Sequence, residues 1–167
     1  MHIRPEAEED HKAVFTVNAS AFGSSAEAGL VDALRQQARP AISLVAEDHG
    51  EIIGHIMFTP VTLSGHPDSK MMGLAPMAVS PENQRQGIGS TLIEKGLEQC
   101  KKHGITAVVV LGHPEYYPRF GFTPSCQFGI ISEYDVPDNV FMVLELIPDA
   151  LKGKKGTVHF HDAFNTL

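Results

Sequence analysis

The chain has 167 residues, 43% of them hydrophobic and 20% charged, which suits one domain with a single core. Thirteen lysines and arginines stand against 20 aspartates and glutamates, for a net charge of −7, so the basic footprint of a nucleic-acid binder is missing. No apolar run approaches the roughly 20 residues of a bilayer span, and the opening Met1-His2-Ile3-Arg4-Pro5-Glu6 turns acidic without the apolar stretch of a secretion signal. No membrane or nucleic-acid partner is therefore expected, and the cytoplasm is the expected location.

In chain order, residues 3–5 read as a short strand and 8–21 as a helix with Ala13, Val14, Val17 and Ala21 on one face. Gly23-Ser24-Ser25 interrupts the pattern, with Ser24 or Ser25 placed to cap a second helix over 26–37, whose stripe is Leu30, Val31 and Leu34. A strand over 42–47, the tight turn Asp48-His49-Gly50 and a second arm over 51–63 form a hairpin. Gly65-His66-Pro67-Asp68 is a further turn, followed by a fourth strand over 70–80. Pro76 inside that strand cannot donate to a sheet ladder, so a bulge is expected there, freeing neighbouring backbone donors.

A helix over 86–102 follows, with Ile88, Leu92, Ile93, Leu97 and Cys100 facing a core and Gly104 as its stop. The β-branched run 105–111 has the character of a strand buried on both faces. Strand, helix, strand over 72–111 makes a crossover unit with parallel pairing. Later strands are expected near 128–134 and 141–146, and the tail over 147–167 is mixed.

The stretch from Ala75 to Ile93 carries the most chemistry. A helix start presents four backbone N–H groups without intrahelical partners, and with the helix dipole they form an anion site that needs no cationic side chain. Gly87 and Gly89 bring no Cβ, so a phosphate can approach the backbone. A pyrophosphate cradle is the physical reading. Cys100 and Cys126 have neither disulfide nor metal-ligand spacing. His159-x-His161 lacks an accompanying ligand set, so no metal is expected.

Gln84-x-x-Gly87-x-Gly89 resembles the acyl-CoA-binding signature of the GNAT N-acetyltransferase superfamily, and the order of elements is similar to that of the GNAT fold. The resemblance covers residues 1–146, with 147–167 as a C-terminal extension of the same domain. It implies an α/β fold of three α/β/α layers. The central sheet would be mixed and mostly antiparallel, splayed between its fourth and fifth strands so that the pantetheine arm of CoA lies in the gap. It also implies acetyl-CoA as acyl donor and an amine acceptor, either a small molecule or a peptide. The implied cofactor-binding residues are Met77, Ala78 and Val79 on the strand; Gln84, Arg85, Gln86, Gly87, Ile88, Gly89 and Ser90 in the loop and helix start; and Tyr116, Arg119 and Phe120 further on. Arg85 stands where the family frequently has glycine.

The segment Gly112-His113-Pro114-Glu115-Tyr116-Tyr117-Pro118-Arg119-Phe120-Gly121-Phe122 looks like the family's motif in which a tyrosine precedes Gly-Phe by four residues. Tyr117 holds that place, which implies a catalytic role protonating the departing thiolate; Tyr116 is the second choice, and core packing of these aromatics is the alternative for both. Backbone N–H groups near Met77, Ala78 and Val79 would serve as an oxyanion hole, where one donor is worth roughly 3 kcal/mol. The family's strand-borne glutamate base has no counterpart between Met71 and Ser80, which leaves Glu27, His55, His113 or a water chain as base. That departure also keeps open a non-catalytic CoA-binding sensor or assembly module. The end of the tail, Val158-His159-Phe160, is strand-like and offers an edge to a second copy, so a homodimer is a further expectation.

Overall fold

The computed structural model describes all residues, 1–167. Its strands are β1 (His2–Pro5), β2 (Ile42–Asp48), β3 (Glu51–Leu63), β4 (His66–Val79), β5 (Ala107–Leu111), β6 (Thr123–Pro124), β7 (Ile130–Ser132), β8 (Phe141–Glu145) and β9 (Gly156–His159). The α-helices are α1 (His11–Phe22), α2 (Ala26–Gln37) and α3 (Ile88–Lys102). The strands form one sheet in the order β1-β2-β3-β4-β5-β8-β6, with β9 joining β3 to β7. The helices sit on both faces. Neighbouring strand residues point to opposite sides, and Leu44, Ile56 and Phe58 pack with α3 while Val45 and Met57 pack with α1 and α2. Three layers and a mixed, mostly antiparallel sheet agree with the expected fold.

Local chemistry explains most boundaries. His49 and Gly50 both take positive φ, 50° and 80°, the backbone that a two-residue hairpin turn requires. Helix α2 has the expected bounds; of the two candidate caps, Ser25 makes no side-chain capping bond, while Ser24 Oγ accepts from Ala26 N–H at 3.4 Å. Helix α3 begins at Ile88 rather than at residue 86, because Gly87 adopts the left-handed region at φ 82° and stops the helix from starting earlier. Gly96 lets α3 lie close to the sheet, since a Cβ there would fall 2.3 Å from Phe58 Cε1.

Strand β4 starts at His66, four residues before the expected position, extending the hairpin with β3. The expected bulge is present: Ile56 pairs with Met77 but Phe58 pairs with Leu74, so Ala75 and Pro76 are looped out opposite Met57. The splay is also present. Strands β4 and β5 are parallel partners only from Met71↔Ala107 to Gly73↔Val109. Beyond that point β4 runs on to Val79 against β3, and β5 runs on to Leu111 against β8.

The tail differs most from the sequence reading. Strand β9 pairs inside the chain, with Thr62 and Leu63 of β3 on one side and with β7 on the other. The edge offered to a second copy is therefore already used. After β9, a 3₁₀ segment (Asp162–Thr166) packs Ala163 and Phe164 against α2. The face opposite α3 is thus shared by the two N-terminal helices and the C-terminal segment. His159 lies 3.7 Å from Glu133 and the His161 ring accepts from Ala163 N–H, so the two histidines act separately.

Candidate active site at the splay

The bulge sets the donors of β4. Ser80 N–H bonds the Ile53 carbonyl at 2.8 Å, and antiparallel pairs alternate between bonded and unbonded. With the register Gly54↔Val79, His55↔Ala78 and Ile56↔Met77, Ala78 faces β3 while the N–H groups of Met77 and Val79 turn towards the gap. Of the three strand residues named from sequence, two therefore present main-chain donors to the splay. The Gln84 side chain donates to the Val79 carbonyl at 3.0 Å, tying the loop to the strand on that open side.

Beyond Val79 a 3₁₀ turn (Pro81–Asn83) leads into the loop. Thr91 N–H is the first to reach back one turn, to Gly87 O at 3.1 Å. The N–H groups of Ile88, Gly89 and Ser90 precede it, as a helix start requires. The space beside Gly87 is open, and a Cβ on Gly89 would meet Tyr116 Oη at 3.4 Å and Met77 Cε at 3.5 Å. Gly89 therefore faces the mouth of the gap between α3 and β4. Arg85 and Arg119 are exposed and outside every ion pair, with Arg119 stacked 4.8 Å above the Tyr116 ring. Both add positive charge near a helix start that has no acidic residue in its first turn. Bare amides, open glycines and free guanidinium groups together fit a diphosphate.

The two adjacent tyrosines have separate places. Tyr116 Oη lies 3.2 Å from Ser90 Oγ, on the α3 side, and Phe120 meets its ring edge-on at 5.3 Å. Tyr117 is buried in the core, edge-on to Phe122, and its ring leaves no room for a side chain at Gly112, where a Cβ would fall 2.2 Å from Tyr117 Cε2. Burial pushes the Tyr117 phenol up to about 12, so it stays protonated at neutral pH. Tyr117 also borders a cavity of about 650 Å³ on the far face, with Leu74, Pro76, Met77, Gly112 and His113. The splay thus connects the anion cradle on one face to this cavity on the other.

Of the three side-chain bases considered from sequence, Glu27 and His113 line the cavity. His55 does not. It is fully buried, with Nδ1 3.1 Å from Asn18 Nδ2 and Nε2 2.8 Å from Ser43 Oγ. Asn18 Nδ2 also donates to Val14 O, so His55 Nδ1 accepts and Nε2–H donates to Ser43. Ser43 in turn donates to Glu6, which pairs with Arg35. Burial holds the imidazole down at about 4, hence neutral. This is a structural network.

The sequence reading missed the cavity's other wall, formed by Tyr134, Phe160, Phe164 and Leu167. The aromatic pair Phe160 and Phe164, four residues apart just after the chain's last strand and in the 3₁₀ turn that follows it, was the available signal. No cysteine borders the cavity: Cys100 is buried among the α3 contacts with its thiol pushed up to about 12, and Cys126 borders a different hollow.

Comparisons with known proteins agree with this architecture. Residues 2–125 match the family described as acetyltransferase (GNAT) domain. The chain is 36% identical over 166 residues to an uncharacterized N-acetyltransferase of Escherichia coli, YhbS, covering 99% of each. It is 46% identical over 126 residues to a second from that organism, YjhQ, covering 73% of this chain and 70% of that one. The crystal structure of E. coli YhbS in complex with CoA superposes with a TM-score of 0.92 at 35% identity, over 98% of this chain and 91% of that one. A GNAT acetyltransferase from Brucella melitensis in complex with acetyl-CoA gives 0.81 at 36% identity, over 98% and 97%. The chain belongs to the GNAT family of N-acetyltransferases.

Proposed function

We propose that this chain transfers the acetyl group of acetyl-CoA to a primary amine by direct attack within a ternary complex. The observation that carries the reading is the continuity of the splay, which joins an anion cradle on the α3 face to a cavity on the opposite face. The diphosphate of the donor fits against the N–H groups of Ile88, Gly89 and Ser90, within reach of Arg85 and Arg119, and its pantetheine arm fits the gap beside Met77 and Val79. The relatives crystallised with CoA and acetyl-CoA support that choice of donor.

In the reaction the amine nitrogen attacks the thioester carbonyl from the cavity side. The C–N bond forms and the C–S bond breaks. Backbone N–H donors of Met77 and Val79 stabilise the charge developing on the carbonyl oxygen. The thiolate takes the proton of Tyr117, a phenol held neutral by burial. The ammonium loses its proton to Glu27 or His113, the two candidate bases bordering the cavity. The absence of a thiol from the cavity walls favours direct transfer over an acetyl-enzyme.

Thiol release from acetyl-CoA in the presence of an amine panel tests the reading, with Tyr117→Phe as the diagnostic variant. Its kcat is expected to fall about a hundredfold, with the Kd of acetyl-CoA within twofold of the parent. Undiminished turnover in the variant would take Tyr117 out of the mechanism. Tight acetyl-CoA binding with no transfer to any amine would favour a sensor or assembly module.

A further inference from the structure

The cavity that faces Tyr117 has an unusual lining for an amine site. Phe22 ends α1, Leu30 comes from α2, and Phe160 and Phe164 come from the tail. Only one acidic side chain, Glu27 at the start of α2, borders it. Its volume of about 650 Å³ lies within the usual range for a small-molecule site. The exposed surface supplies an independent sign. Six large hydrophobic residues remain exposed in the whole chain, and three of them, Phe22, Leu111 and Leu167, border this cavity. Apolar groups left in water around one opening mark a surface that meets an apolar ligand.

The wall is also built rather than loose. Phe160 stacks on Tyr134 at 5.9 Å and meets Phe164 at 5.6 Å. Tyr134 Oη donates to Asn165 Oδ1 at 3.0 Å, which ties the tail to the loop after β7. A flexible polyamine or an aminoglycoside carries several ammonium groups, each needing an acceptor once out of water, and this cavity offers a single acidic side chain. A ring needs apolar faces to stack on, and here they are supplied.

We propose that the acceptor is a small primary amine on an apolar, ring-sized body, with its ammonium group at Glu27 and its body between Leu30 and the tail residues Phe160 and Phe164. The inference rests on the transferase reading and names the class of its second substrate. The C-terminal segment is then a specificity element, because it provides one whole wall of the acceptor site.

The full-length protein is assayed with acetyl-CoA and 2-phenylethylamine, tryptamine, spermidine, kanamycin and a lysine-containing peptide. The arylalkylamines are expected to exceed the polycations and the peptide by at least tenfold in kcat/KM. Glu27→Gln and Phe164→Ala should each raise KM for 2-phenylethylamine about tenfold, with the Kd of acetyl-CoA unchanged by calorimetry. Phe22→Glu alters an exposed rim residue, so it provides the same test if Phe164→Ala fails to fold; it should raise that KM and lower the KM for spermidine. Preference for spermidine, kanamycin or the peptide would overturn the inference, as would equal use of all five amines. So would acetyl-CoA binding with no use of the arylalkylamines. Failure of acetyl-CoA to bind at all would instead remove the transferase reading, and this inference with it.

Discussion

Substitution at Gly89 separates the cofactor site from the fold. Gly89 is the second residue of α3, and a Cβ there would sit 3.4 Å from Tyr116 Oη and 3.5 Å from Met77 Cε, ordinary contact distances. Gly89→Ala therefore fits the free protein and gains up to about 0.5–1 kcal/mol from helix propensity. The same Cβ projects into the mouth between α3 and β4, where the donor has to pass. A bulkier valine holds the anion off the helix start and forfeits at least one hydrogen bond to a charged group, worth about 1.5–3 kcal/mol, or roughly tenfold to a hundredfold in Kd. The assay is calorimetric titration with acetyl-CoA beside thermal melts of the parent, Gly89→Ala and Gly89→Val. Gly89→Ala should melt no lower than the parent, and Gly89→Val should remain folded with binding weakened by at least tenfold. A folded Gly89→Val protein that binds within twofold of the parent would refute the reasoning. Gly87 is a poorer probe, because its φ of 82° penalises any side chain whether or not a ligand is bound.

Gly112→Ala places a methyl group where the Tyr117 ring lies, 2.2 Å from Cε2. It should lower kcat at least tenfold while leaving acetyl-CoA affinity unchanged, and undiminished kcat would show that the ring position is unimportant. His55 provides a stability prediction: burial holds its folded value near 4, below the ordinary histidine value of about 6.5, so the unfolded chain binds the extra proton. The stabilisation is complete above pH 6.5 and is lost as pH falls towards 4, reaching a loss of about 2 kcal/mol at pH 5. Urea unfolding at pH 7 and pH 5 measures it, and equal stabilities would mean that His55 is not held neutral.

The fold was legible where local chemistry decides it. The turn at His49 and Gly50, the apolar stripe of α2 and the β-branched run of β5 each state their element in a few residues. The bulge at Pro76 was legible too, because a residue without an N–H has few places in a sheet. The start of α3 was misplaced by two residues, since a left-handed glycine at a helix start looks in sequence like a helical one. Strand β6 was missed, and β9 was expected to pair with a second copy, because each is short and gains its order from distant partners, β8 for one and β3 and β7 for the other. The same non-locality hid the tail's part in the cavity: Phe160 and Phe164 border it because β9 docks between β3 and β7. His55 showed the converse problem. A histidine on a strand is a credible base until its burial and both hydrogen bonds are seen.

Initial velocities measured with acetyl-CoA and an active amine both varied, together with mass spectrometry of the protein after incubation with acetyl-CoA alone, test the central claim most directly. Direct transfer across the splay predicts intersecting double-reciprocal lines and a protein of unchanged mass. Parallel lines with an acetyl group retained on the chain would contradict it.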